Sequence, residues 1–347
     1  MRNLKIIVII FGLICLGLGA FYFIKQPAYT IKTEGILYVV NKGSKSITIF
    51  DLFEGKQIKE LSIELEPHEA TIVSNPDRII VTNYGSPDTA GKSITVINAA
   101  TNTIEKTIAL GESLRPHGII TMSQPNQVGV VTDIGNHLSV INIETGVVEK
   151  QIATAQDFSH LLVHHPVKPL IYVTNINSGS VTVIDIALDS VVKIIPCSKR
   201  AEGIDIAPDG SEIWVTNIEE NFISVINTET YETTDRIDTG KKPLRLKFSI
   251  DGKQCLVSNA SDGTVGVYDS ETKKQITSIL IPGKKNILEK VIYRTPRPVG
   301  ILMHPNGNYA FISNYTAGRV EVIDMNNFAI VSSIQVGDMP DGLTFIN

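Results

Sequence analysis

The chain has 347 residues, 43% of them hydrophobic and 19% charged, with a formal net charge of −5, which is enough for one large all-β domain. That acidic balance leaves no electrostatic footprint for nucleic acid, where a basic domain is expected. The three cysteines, Cys15, Cys197 and Cys255, match no metal spacing and argue against a disulfide framework.

The first predicted element is residues 1–27. Arg2 and Lys5 precede an uncharged run from Ile6 to Ile24, long for a signal-peptide core and sufficient to span a bilayer. It is expected to be an uncleaved anchor with Cys15 in the span. The two N-terminal bases place the N-terminus in the cytoplasm and the rest of the chain outside the membrane; if the segment were cleaved, the protein would be secreted.

From residue 28 to 347 the sequence repeats. A tetrad recurs as YVVN (38–41), IVTN (80–83), VVTD (130–133), YVTN (172–175), WVTN (214–217), LVSN (256–259) and FISN (311–314), with a base period of 42 residues. Each period reads as four short strands with turn signals between them, and strand alternation replaces any helical spacing. Such a sheet buries both faces only when copies stack radially, as propeller blades. The chain enters at a second strand, GILYVVN, and ends at PDGLTFIN, which matches a first strand, so the two ends are expected to complete one blade. The Asn and Asp that close each tetrad read as turn-capping groups.

The tetrads, followed by VxVID and by PxGI…PDG, resemble the YVTN-repeat family of seven-bladed β-propellers over Gly35 to Asn347. The resemblance implies the fold strongly. It implies little about activity, since family members occur as extracytoplasmic binding proteins, surface-layer proteins and propeller parts of redox enzymes.

The strand opening with PxG should be innermost in each blade, with the residue before the Gly at one mouth of the central channel. In ring order those positions are Asp341, His68, His117, His160, Glu202, Leu244 and Val299. Five consecutive metal-competent side chains, with three of the chain's seven histidines on one ring, suit a divalent transition metal such as Zn, Cu or Fe. A solvated polar channel and a catalytic His are the alternatives. Just ahead of the ring stand Arg115, Arg200 and Arg297, with Lys242 in the matching place. They form a rim suited to a small anion, or one paired with Glu66, Glu69 or Asp157. His137, His164, His165 and His304 read as structural.

Two insertions interrupt the period, at residues 84–93 and 281–298; the second is basic and reads as a lid or a docking segment. No nucleophile elbow, haem attachment site, P-loop or dinucleotide motif is present, and the only Trp, Trp214, belongs to a repeat strand. The expected function is therefore a monomeric, membrane-anchored extracytoplasmic binding protein for a metal ion, a small anion or an envelope protein. A metal-dependent lyase or lactonase, using His160 beside Glu202, and a purely structural scaffold are the competing readings.

Overall fold

The computed structural model describes residues 28–74, 76–283 and 296–347. The expected anchor at 1–27, with Cys15, lies outside the described residues, as does most of the 281–298 insertion with Lys284, Lys285, Lys290 and Arg294.

Seven antiparallel four-stranded sheets make a seven-bladed β-propeller. Blades 2 to 7 cover 67–109, 114–153, 159–196, 201–238, 243–280 and 298–335. Blade 1 combines 36–62 with the last strand, Pro340–Ile346, in which Ile346 lies opposite Ile36. The inner strands of blades 2 to 7 are Pro67–Val73, Leu114–Thr121, Ser159–His164, Ala201–Ile206, Pro243–Phe248 and Pro298–Met303.

Alternation of side chains along the middle strands explains why the blades stack. In blade 4, Ile171, Val173 and Ile184 pack on Val131, Leu138 and Val140 of blade 3. Their neighbours Tyr172, Val181 and Val183 point the other way, onto Ile204, Ile213 and Val215 of blade 5. Both faces are therefore core, and each fully buried Val or Ile contributes about 1.5–3 kcal/mol. The same arrangement joins blade 7 to blade 1 and blade 1 to blade 2. Outermost strands have only one side to bury, so Ser190–Pro196 is largely exposed except at Ile195.

The tetrad works differently from a turn cap. Asn41, Asn175 and Asn217 are fully buried, and their side-chain amides reach across to hydroxyls on the next strand. Asn175 donates to Ser180 Oγ at 3.2 Å and to Thr182 Oγ1 at 3.0 Å, and Asn41 bonds Ser46 and Thr48 in the same way. Residues five and seven positions on share one face of the returning strand, so the Asn fastens two strands together inside the blade.

The Thr or Ser before it fastens one blade to the next. Thr216 Oγ1 accepts from Gly203 N (2.8 Å) in its own blade and donates to Leu244 O (3.1 Å) in blade 6. Thr82 does the same between Glu69 N and His117 O, Thr174 between Leu161 N and Glu202 O, and Ser313 donates to Asp341 O at 2.7 Å. The carbonyls bonded in this way belong to the ring residues. Close approach also explains the PxG glycines: a Cβ at Gly203 would lie 2.2 Å from Leu244 O, and one at Gly300 2.1 Å from Asp341 O.

Candidate functional site

With His117, Glu202 and Asp341 held by these latches, the five polar ring residues converge at one end of the channel and are nearly sealed. His117 is 1% exposed, Asp341 3%, His160 7%, and His68 and Glu202 8%. The three imidazoles lie against one another in blade order, with ring centroids 3.9 Å apart for His68 and His117 and 3.6 Å for His117 and His160. Such contact suits neutral rings. Burial pushes the His68 imidazole down to about 3, against the pull of Asp341, and pushes His117 well below its ordinary range, helped by His160 and His68.

The donors fall into two groups. His68 Nδ1 lies 3.4 Å from Asp341 Oδ2 and 3.8 Å from Glu69 Oε1, and donor atoms of His68, Glu69 and His117 all lie within 4.8 Å of one another. The Nδ1 atoms of His68 and His117 and Oδ1 of Asp341 are buried with no hydrogen-bond partner. His160 belongs to the second group. Its Nδ1 meets Asp133 Oδ1 at 3.2 Å, and its Nε2 lies 4.0 Å from Glu202 Oε1.

Three contributors to this cluster are not among the ring residues read from the sequence. Glu69 and Arg245 occupy the place of the PxG glycine in blades 2 and 6. From there Arg245 bonds Glu202 Oε1 in the next blade and Glu69 Oε1 across the channel, each at 3.0 Å. Burial alone would weaken its charge, but Glu69, Glu202 and Asp341 outweigh that and raise its pKa. The side of the ring that reads as apolar from Leu244 and Val299 thus carries a guanidinium one residue further on. Leu244 and Val299 themselves pack with Ile218, Ala260 and Tyr315.

Asp133 is the third. It closes the VVTD tetrad in sequence, but blade 3 pairs one residue out of step: Thr132, not Asp133, lies opposite Pro116, the place that Asn175 holds opposite Ser159 in blade 4. One position past the strand-fastening place, its carboxylate meets His160 and accepts a hydrogen bond from Tyr84 Oη at 2.7 Å. The reading of this Asp as a turn cap is corrected: it orients an imidazole. Its signal in the sequence is a shortened hairpin: Asp133 precedes VIN (140–142) by seven residues, where Asn175 precedes VID (183–185) by eight. Four carboxyl groups (Glu69, Asp133, Glu202, Asp341) therefore belong to the cluster, and two of them, Glu69 and Glu202, pair with its buried guanidinium.

The rim is spread out. Arg115, Arg200 and Lys242 take left-handed backbone conformations just before their inner strands, with φ of 56°, 62° and 57°. Arg115 donates to the carbonyls of Ser86 (3.0 Å) and Pro87 (3.4 Å) in the 84–93 insertion and lies over the Tyr84 ring. Arg297 lies over Tyr315, and Arg200 is exposed. Pairing with Glu66, Glu69 or Asp157 does not occur among the described residues: Glu69 is taken by Arg245, and Asp157 accepts from Asn177. The remaining histidines have local roles. His165 Nδ1 accepts from Val167 N and Lys168 N, and His304 Nδ1 accepts from Asn306 N while its Nε2 meets Glu34 O. Cys197 and Cys255 are free thiols.

Fold and site together define a seven-bladed propeller with a buried imidazole–carboxylate cluster at one mouth of its channel. No family model and no curated protein matches the chain. Solved structures do: hydrazine synthase of Kuenenia stuttgartiensis is similar with a TM-score of 0.71 at 17% identity, over 87% of this chain and 97% of that one. A functionally unknown protein from Desulfotomaculum acetoxidans DSM 771 is similar with a TM-score of 0.72 at 16% identity, over 90% and 99%. At these identities the likeness shows the fold alone.

Proposed function

We propose that the chain is an extracytoplasmic binding protein of the YVTN-repeat type, anchored by its N-terminal segment, whose channel mouth holds a divalent transition metal such as Zn, Cu or Fe. The observation that carries this reading is the set of donors on His68, Glu69 and His117 within 4.8 Å, with both Nδ1 atoms buried and in no hydrogen bond. Buried polar groups without partners cost about 1–3 kcal/mol each, and a cation would satisfy them. The excess of carboxyl groups over the single guanidinium supports the same charge sign. His160, oriented by Asp133, and Asp341 beside His68 would complete or support the ligand set, with Glu202 next to them.

The lyase or lactonase alternative needs Glu202 free to exchange protons beside His160, and Glu202 instead bonds Arg245 at 3.0 Å. A scaffold has no need of so costly a buried cluster. The test is metal content of the full chain purified without a tag, beside the His68→Ala, His117→Ala double variant. Near-stoichiometric Zn, Cu or Fe in the parent and none in the folded variant is the expected result. Absence of bound metal in the parent after incubation with each ion would end the proposal.

A further inference from the structure

Directly above the imidazoles the charge changes sign. Tyr84 sets its ring against His68 and His117, at centroid distances of 5.1 and 5.4 Å, with its hydroxyl tied to Asp133. The Lys42 ammonium and the Arg115 guanidinium each lie 5.1 Å from the centroid of that same ring. Neither forms an ion pair among the described residues; Arg115 spends its two bonds on neutral carbonyls. Lys42 follows the tetrad of blade 1 and Tyr84 that of blade 2, so adjacent blades contribute one base and the aromatic plate between the two bases. Elsewhere around the mouth, Leu244, Val299, Ile218 and Ala260 form an apolar cluster against Tyr315.

A bare cation entering this mouth is repelled by Lys42 and Arg115 before it meets the donors, and a bare anion is repelled by the carboxylates below. A ligand that presents both charges at once, in the right order, meets neither penalty. We infer that the site takes its metal as a chelate of an organic polycarboxylate. The metal is directed to His68, Glu69 and His117, and a free carboxylate to Lys42 and Arg115. This rests on the metal reading above and names the form in which the metal arrives. Arg and Lys suit the outer tier because their donors match a carboxylate without competing for the metal.

The probe is Co²⁺, followed by its visible absorption, titrated into the full chain in detergent at buffered free Co²⁺ with and without citrate. Citrate is expected to lower the free Co²⁺ needed for half-saturation by tenfold or more. In the Lys42→Gln, Arg115→Gln double variant this gain should vanish, while Co²⁺ alone binds a few-fold more tightly because two repelling charges are gone. Such opposite shifts are not produced by simple damage to the fold. A parent that binds Co²⁺ with no gain from citrate, or a gain that survives in the variant, overturns the chelate and leaves the metal reading standing. No Co²⁺ bound under either condition overturns both.

Discussion

At Asp133 a pairing register shifted by one residue puts a carboxylate past the strand-fastening place and against an imidazole. The Nδ1 hydrogen of His160 faces that carboxylate at 3.2 Å, which leaves Nε2 turned toward Glu202, the arrangement by which outer carboxylates raise the affinity of metal-binding histidines. Asp133→Asn restores the residue that the other six tetrads carry and keeps its size. It should leave the thermal midpoint within a few degrees while lowering Co²⁺ affinity about 10–100-fold, read by equilibrium titration. Arg245 makes a complementary case. Arg245→Met removes the buried cation that bridges two carboxylates and leaves Glu69 and Glu202 without it. Breaking a buried pair from one side costs about 3–5 kcal/mol, and denaturant unfolding of the metal-free protein should show a loss of that order, partly restored by adding Co²⁺.

Among the strands, the latch between blades governs how accurately the ring residues are placed. The Thr216 hydroxyl stands between Gly203 N and Leu244 O, so Thr216→Val keeps the shape and leaves both backbone groups buried and unpaired. A destabilisation of about 2 kcal/mol or more is expected from the unfolding midpoint. Gly300→Ala places a carbon 2.1 Å from Asp341 O and forces the inner strands of blades 7 and 1 apart. Overpacking of this kind costs about 1–3 kcal/mol, and it should also weaken Co²⁺ binding because Asp341 moves with its strand. A stability loss with unchanged Co²⁺ affinity would show that Asp341 is not part of the site.

Over the whole molecule, gathering imidazoles from successive blades into one dry cluster couples stability to pH. The unfolded chain takes up a proton on each imidazole as pH falls through about 6.5. The folded chain resists, His68 down to about 3 and His117 well below its ordinary range. Their contribution is therefore fully present above about pH 6.5 and is lost as pH falls below it, by up to about 1.4 kcal/mol per pH unit for each ring. The urea midpoint of the metal-free protein should drop between pH 7 and pH 5, and the slope should be shallower in His117→Gln. A midpoint independent of pH over that interval would mean that the rings are solvated.

The 42-residue period, the strand alternation within it and the seven tetrads were legible because blade stacking makes the same demand on every copy, two buried faces, and in most copies adds a latch and a tight inner Gly. A repeated demand leaves a repeated word, and the positions of His68, His117, His160, Glu202 and Asp341 on one ring follow from counting along it. Glu69, Arg245 and Asp133 were not legible in that way, since each is a departure from the repeat, and a departure by itself does not say what it touches. Arg245 meets Glu69 176 residues away only because their inner strands face each other across the channel, and Asp133 meets His160 only because blade 3 pairs one residue out of step. The fold of this chain is local and periodic, and so was written in its sequence; the charge arrangement at the mouth depends on which departures meet across the axis, and only the tertiary structure decided that.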